Sequence, residues 1–167
     1  VLRESKLDNA WFVTDYQMVE NADEEINLLG ELKPSQSALI DERFEDQISD
    51  KKLSPDTTAF IDLISYAPNK LEYEYSTGTT QLAVFSEIYY PEGWTATING
   101  EKQSHFRVNY ILRGMVVPPG EGSIVFEFKP DAYFVGSKIA FAGSVVIVLL
   151  VLGGFYYRFK NHKNLQL

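Results

Sequence analysis

Residues 139–157, IAFAGSVVIVLLVLGGFYY, constrain this chain more than any other stretch, because they are nineteen consecutive residues without a charge or a proline. As a helix that rises about 1.5 Å per residue, they would extend about 28 Å, close to the hydrocarbon thickness of a bilayer. A buried helix of a soluble protein is the alternative, but such a helix normally keeps a polar stripe. The segment therefore predicts a membrane-spanning helix.

The residues on either side of this segment predict its borders and its orientation. Aromatic side chains, which concentrate at membrane interfaces, flank it at both ends: Tyr133, Phe134, Phe155, Tyr156 and Tyr157. Basic residues follow it without an acid nearby, at Arg158, Lys160 and Lys163, whereas Lys129 and Lys138 precede it beside Asp131. By the positive-inside rule, we expect a transmembrane helix over 134–157, a basic cytoplasmic tail over 158–167 and an extracytoplasmic domain over 1–133.

Composition narrows the classes of function that residues 1–133 can serve. This region holds 11 basic and all 23 acidic residues, a net charge of −12, and such a surface would repel a nucleic-acid backbone. We therefore expect no nucleic acid as a partner. The chain has no cysteine, which excludes disulfides and thiol chemistry. It begins with Val1 and lacks an apolar leader at that end, so we interpret it as part of a longer protein or as a processed product.

Periodicity in the body favours β-structure. The segment KLEYEYST, 70–77, alternates Leu71, Tyr73 and Tyr75 with polar residues, as a half-buried strand does. Asn-Gly at 99–100 predicts a type I′ turn, since both positions need a positive φ. Further strands are predicted at 10–19, 37–43, 59–67, 81–90, 94–98, 101–108, 109–117 and 123–130, with a charged loop at 44–58.

One short helix is predicted near residues 22–32. Asn21 can cap its first turn, Glu24 stands three residues later as in a capping box, and Pro34 ends the element. Short strands joined by Gly and Pro turns favour a sandwich. The predicted fold is therefore mainly β: an antiparallel β-sandwich of about seven strands with one short helix, followed by a single C-terminal transmembrane α-helix.

Five segments give the chain a family resemblance that covers nearly its whole length: NAWFV (9–13), NADEEI (21–26), YAPNKLEYEY (66–75), SEIYYPEGWTATING (86–100) and VNYILRGMVVPPGEGSIVFEFKP (108–130). With the terminal span that follows them, they resemble the C-terminal part of the YfhO-like bacterial multi-pass membrane proteins, which are related to GT-C glycosyltransferases. The central block, from the YYP–GW segment to the last strand, is the specific part.

The resemblance implies a large protein of the bacterial cytoplasmic membrane that transfers sugar from a polyprenyl-phosphate donor to cell-envelope glycans. It implies as partners the lipid bilayer, the remaining transmembrane helices of the parent protein, and a polyprenyl-linked sugar or envelope glycan. Catalytic acids of GT-C enzymes lie between early membrane helices, which this chain lacks, so no catalytic residue carries over. The chain is then an accessory extracytoplasmic domain with the last membrane helix.

The stretch SEIYYPEGWTATING suggests a surface that contacts a glycan or a lipid phosphate. Sugars stack on aromatic rings, and polar side chains nearby can hydrogen-bond hydroxyls or phosphate. The candidate contacts are Glu87, Tyr89, Tyr90, Trp94, Asn109 and Arg113. The competing interpretation, which we favour at this point, is that these rings close one corner of the sandwich and serve mainly by the area they bury.

No residue pattern in the chain predicts catalysis. Glu72 and Glu74 lie on the polar face of one strand, the ordinary position of solvated acids, and spacing alone indicates no cleft between them. His105 is the only histidine in the body, so we expect no metal site and interpret it as solvent-facing or hydrogen-bonded. We expect no cofactor. The alternative to an enzyme's accessory domain is a membrane-tethered glycan-binding or structural module.

Overall fold

The computed structural model describes residues 7–163. These residues fall into two compact units, one that ends at Lys129 and one that begins at Pro130. In chain order the elements are β1 (Ala10–Val13), β2 (Asp15–Val19), α1 (Ala22–Leu28), β3 (Ser37–Asp41), a 3₁₀ helix (Glu42–Gln47), β4 (Phe60–Ala67), β5 (Lys70–Thr77), β6 (Gln81–Ile88), β7 (Trp94–Ile98), β8 (Glu101–Gln103), β9 (Phe106–Val108), β10 (Leu112–Val117), β11 (Gly120–Phe128) and α2 (Asp131–Lys163).

Two antiparallel sheets dominate the first unit. One has four strands in the order β1-β6-β10-β9, and the other has five in the order β4-β5-β11-β7-β8. β2 and β3 form a small parallel pair beside them. The predicted fold class, antiparallel sheets with a short helix and a C-terminal apolar helix, is confirmed.

The described residues contain eleven strands where nine strand segments were predicted, because two of the predicted runs are divided. The two main sheets use nine of the eleven, more than the seven or so expected of the sandwich. The run 10–19 breaks at Thr14, whose backbone N–H and hydroxyl both donate to the carbonyl of Gln36. β1 therefore joins the four-stranded sheet, whereas β2 pairs with β3. The run 101–108 likewise divides into β8 and β9, which belong to different sheets.

The main core lies between the two sheets. The ring of Phe85 on β6 packs edge-on against Tyr73 of β5 and Phe126 of β11, with 4.9 Å between ring centroids in each pair. Leu71, Tyr73 and Tyr75 are all buried, so the predicted alternation of β5 is confirmed. Burying such large side chains removes apolar area from water, at about 25 cal/mol for each Å².

A second core covers the other face of the four-stranded sheet. Leu82, Val84 and Val116 point into it and meet Ile40 of β3 and Ile48 after the 3₁₀ helix. β6 is consequently buried on both faces, which explains why residues 81–85 are buried without a polar alternation. The predicted Asn-Gly turn is also confirmed, since φ is 51° at Asn99 and 85° at Gly100.

A buried ionic network fastens α1 and β3 to the turn before β10. Glu25, fully buried, accepts hydrogen bonds from Nη2 of Arg107 and from the backbone N–H of Tyr110, each 2.7 Å long. Nη2 of Arg107 also lies 3.2 Å from a carboxylate oxygen of Asp41.

Asn21 caps α1 as predicted, and its side-chain oxygen accepts hydrogen bonds from the N–H groups of Asp23 and Glu24. The carboxylate of Glu24 accepts from the N–H of Glu20, one residue before the cap.

The second unit contains α2. Val135–Arg158 is long and apolar enough to cross a membrane, with a mean hydropathy of 2.4, and it is the one such helix in the part of the chain that the structure describes. The apolar side chains described along this segment are exposed. Ser144 donates its hydroxyl to the carbonyl of Ala140, 2.9 Å away, so this polar group is satisfied inside the helix.

Candidate functional site: a buried arginine among aromatic rings

Arg113 is the most unusual side chain of the sandwich, because it is a cation with 1% of its surface exposed. It belongs to β10, where it alternates in step with Met115 and Val117, and these two residues face the core between the sheets. The strand's alternation therefore directs the guanidinium inward rather than to solvent. Burial lowers the pKa of Arg113 below its usual range, and the negative charge of Glu87 acts in the opposite direction.

Two aromatic rings enclose the guanidinium. Its central carbon lies 4.6 Å from the ring centroid of Trp94 and 4.5 Å from that of Phe126. Such contacts attract a cation to the face of a ring and are strongest where water is excluded. Nη2 donates to the backbone carbonyl of Ile88 at 3.3 Å, while Nε and Nη1 are buried and have no hydrogen-bond partner within the described residues.

The pairing of β6 with β10 is irregular directly at Arg113. Leu112 pairs with Ile88, but the next residue, Arg113, pairs with Phe85. Ser86 and Glu87 are therefore extra residues on β6, and a bulge of this kind bends a strand and redirects its side chains. Beyond it, the N–H of Tyr89 donates to the carbonyl of Ile111 at 2.7 Å.

Two further side chains that pack near Phe126 carry a polar atom without a hydrogen-bond partner. The hydroxyl of Tyr73 and Nε2 of His105 are buried, and neither forms a hydrogen bond to a described residue. The ring centroids of Tyr73 and His105 lie 6.2 and 5.6 Å from that of Phe126. We call Tyr73, Trp94, His105, Arg113 and Phe126 the Arg113 cluster.

The surroundings of the Arg113 cluster hold both ring groups in their neutral forms. Burial lowers the pKa of His105 to about 4, and the positive charge of Arg113 acts in the same direction. Burial also raises the pKa of Tyr73 well above its usual value, with a smaller contribution from Glu87. At neutral pH the tyrosine hydroxyl is therefore available as a donor, beside a permanently charged arginine.

The chemistry of the Arg113 cluster suits the binding of a group that accepts hydrogen bonds. Among the described residues Arg113 has no carboxylate within ion-pair distance, and no three His, Cys, Asp or Glu side chains are grouped as metal ligands. The cluster places no carboxylate next to a nucleophile, as acid–base catalysis would require. It offers hydrogen-bond donors and a positive charge at the end of a largely apolar core.

The structure brings together some of the candidate contacts predicted from sequence. Trp94 stacks on Arg113, and Tyr89 is half-buried with its ring 5.7 Å from that of His105. Glu87 lies close enough to influence the pKa of Arg113, and Tyr90 is 52% exposed. Asn109 is engaged elsewhere, because its side-chain carbonyl accepts from the N–H of Leu39 at 2.8 Å.

Sequence reasoning missed three members of the cluster, Tyr73, His105 and Phe126. The alternation in residues 70–77 placed Tyr73 on the apolar face of its strand, but no local pattern indicates that an arginine from the opposite sheet lies against Phe126. His105 is half-buried between rings, and its Nε2 is buried without a partner among the described residues, which no sequence pattern indicated. One signal in the sequence could have placed Arg113 near them: it alternates in step with Met115 and Val117, which face the core from the same strand.

Comparison with known proteins gives one match. A family model described as "Bacterial membrane protein YfhO" matches residues 43–140, more than half of the chain. The matched range includes the whole Arg113 cluster and the start of α2. No curated protein and no solved structure matches the chain.

Proposed function

Because the chain belongs to the YfhO family of bacterial membrane proteins, we propose that it is the accessory domain and last membrane helix of a polyprenyl-phosphate-sugar-dependent glycosyltransferase. The parent protein transfers sugar to cell-envelope glycans, and its catalytic residues lie in membrane helices outside this chain. Family membership supports the membrane setting. The relation of that family to GT-C enzymes, which the sequence motifs suggest, supports the reaction class.

In this proposal residues 1–133 form an extracytoplasmic domain, 134–157 cross the cytoplasmic membrane and 158–167 form a cytoplasmic tail. An apolar helix that reaches from Val135 to Arg158 supports the crossing. The three basic residues after the span, against two before it, support the orientation.

The observation that carries a binding role is the buried, incompletely paired Arg113 beneath the segment 87–94. Tyr90 offers an exposed ring, Tyr89 and Trp94 offer partly buried ones, and Glu87 offers a carboxylate, so the surface combines stacking with polar contacts. It guides a glycan or lipid-linked sugar without taking part in bond cleavage. Asn109 is left out of this proposal because β3 holds its side chain.

Sugar transfer by the parent protein in proteoliposomes tests the proposal. Wild-type protein is expected to transfer sugar from a polyprenyl-phosphate donor, and Tyr90→Ala is expected to raise KM several-fold with kcat unchanged, since only binding loses a contact. Phe60→Ala is the matched control, because Phe60 is also exposed, at 45%. It begins β4, at the end of the sheet opposite to the end where Trp94 pairs with β11. Absence of transfer by the wild type rules out the glycosyltransferase.

A membrane-tethered glycan-binding or structural module remains the second candidate function. It needs only the surface around Tyr90 and an apolar helix, both of which this chain contains. The parent reading frame distinguishes the two candidates. About ten apolar spans upstream are expected of a GT-C-like enzyme, whereas a signal peptide followed directly by this domain indicates the tethered module.

A further inference from the structure

We propose that the Arg113 cluster binds an oxyanion, the phosphate or carboxylate group of a ligand, through the guanidinium of Arg113, whose Nε and Nη1 are unpaired, and the hydroxyl of Tyr73. These atoms are buried and have no hydrogen-bond partner within the described residues. Native proteins satisfy the large majority of such groups. The inference rests on the surface assigned under the proposed function, but it does not require that the parent protein transfer sugar.

Electrostatics favour an anion at this place. An arginine stays charged even when buried, and a buried charge without a counter-ion is costly. No carboxylate of the described residues lies within 4.0 Å of Arg113; Glu87 acts on it only from farther away. The two rings partly offset the charge by contact with their faces. An incoming anion would supply the missing counter-charge.

The hydrogen-bond inventory points in the same direction. Nε and Nη1 can only donate, and the neutral hydroxyl of Tyr73 has a proton to give. A ligand that forms hydrogen bonds with these donors must therefore present acceptor atoms. Phosphate and carboxylate oxygens are such acceptors, and they bind a guanidinium at the fork that Nη2 forms with Nε or with Nη1. Nη2 has a second N–H besides the one that it donates to Ile88, so one fork can still form.

Access to Arg113 requires a movement of its cover. Trp94 and Phe126 enclose the guanidinium, and residues 89–93 connect β6 to β7 beside it. This connection is exposed at Tyr90, and Gly93 has a φ of 80°, a conformation that glycine adopts at low cost. Trp94 follows Gly93 directly, so binding is expected to change the environment of the indole. Its fluorescence can report the event.

The test titrates the full chain in nanodiscs of phosphatidylcholine at constant ionic strength. Trp11→Phe provides the background, because Trp11 and Trp94 are the two tryptophans of the chain. The probes are inorganic phosphate, glucuronate and geranyl monophosphate, with sodium chloride as reference. We expect saturable change in Trp94 emission with an oxyanion and none with chloride. No saturable response to any of the three probes overturns the proposal.

The three probes distinguish the source of the anion. Geranyl monophosphate binding at least tenfold more tightly than inorganic phosphate supports a lipid phosphate. Equal binding of these two supports a free phosphate, and preference for glucuronate supports an acidic sugar. Each of these outcomes upholds an oxyanion site, and each is independent of whether the parent protein transfers sugar.

Substitutions locate the site. Tyr73→Phe removes one donor and keeps the ring, so it should weaken oxyanion binding about tenfold. Arg113→Lys keeps the charge but loses the fork, and should weaken it by about a hundredfold. Lys102→Gln, which neutralises an exposed cation on β8, should leave affinity unchanged. If Arg113→Lys does not fold, Tyr73→Phe decides: unchanged affinity in that variant contradicts the assignment.

Discussion

Gly114, the neighbour of Arg113 in β10, allows close packing on the opposite face of the sheet. A Cβ at this position would lie 2.5 Å from Cγ1 of Val108 and 3.4 Å from the ring of Phe106. Both neighbours are buried, and the branched side chain of Val108 has little freedom to move. Gly114→Ala is therefore expected to lower the free energy of unfolding by about 1–3 kcal/mol.

Thermal or denaturant unfolding of the full chain in nanodiscs measures this loss. Gly30→Ala is the control, because nothing lies within 4 Å of a Cβ at Gly30, and its effect should stay within about 0.5 kcal/mol. Equal stabilities of the two variants would show that β9 and β10 yield more easily than the structure implies.

His105 should make stability depend on pH. Its pKa is about 4 in the folded chain, below the ordinary value of 6.5, so the unfolded chain binds more protons between these values. The contribution is present above pH 6.5 and is lost as pH falls toward 4. His105→Phe should flatten the dependence in this range, measured as the difference from wild type so that carboxylates cancel. An unchanged slope would contradict a neutral, buried imidazole.

At the scale of the residue, sequence predicts which way a side chain points better than what it meets. Alternation with Met115 and Val117 indicates that Arg113 faces inward. Its two ring contacts, however, come from β7 and β11 of the opposite sheet, and no local pattern specifies their approach. The contact surface predicted around Tyr90 and Trp94 stays a prediction, whereas the approach of Phe126 to Arg113 follows from the packing of the sheets.

At the scale of the element, α1 depends on one side chain. The helix has seven residues, too few to be stable alone, and Glu25 joins it to Arg107 and to the N–H of Tyr110. Glu25→Ala leaves the half-buried guanidinium without this partner, and we expect a loss of about 2–4 kcal/mol in the free energy of unfolding. Denaturant unfolding followed by circular dichroism measures it.

An exposed ion pair provides the comparison for Glu25. Lys51 lies 2.7 Å from Asp50 with both side chains exposed, so Lys51→Ala should change stability by less than about 0.5 kcal/mol. Combining Glu25→Leu with Arg107→Met should cost less than the sum of the single changes, since the pair is then removed together. Additive losses would mean that the two side chains act independently.

Elements whose structure is determined by residues adjacent in sequence were predicted correctly. β5 follows from alternation, and the turn between β7 and β8 follows from the two residues that tolerate positive φ. The runs 10–19 and 101–108 were each predicted as one strand because their residues favour β-structure throughout. Their division depends on which sheet each half joins, and the bond from Thr14 to Gln36 that separates β1 from β2 links residues far apart in sequence.

At the scale of the whole molecule, the chain combines an acidic β unit with an apolar helix. The helix was predicted because a long uncharged segment has few alternatives, and the structure confirms an apolar C-terminal helix that includes Val135–Arg158. Its described side chains are exposed, and a Cβ added at Gly143, Gly153 or Gly154 would meet no other atom within 4 Å. These surfaces are available to lipid or to other helices.

The orientation of this helix can be tested directly, because the chain has no cysteine of its own. Ser49→Cys introduces a thiol at an exposed position of the β unit, and Asn164→Cys introduces one in the tail. Since basic residues after a span are retained in the cytoplasm, a membrane-impermeant maleimide should label only the first variant in intact cells and both after lysis. Labelling of Asn164→Cys in intact cells would place the tail outside. The Arg113 cluster would then face the cytoplasm, and its oxyanion would have to be sought there.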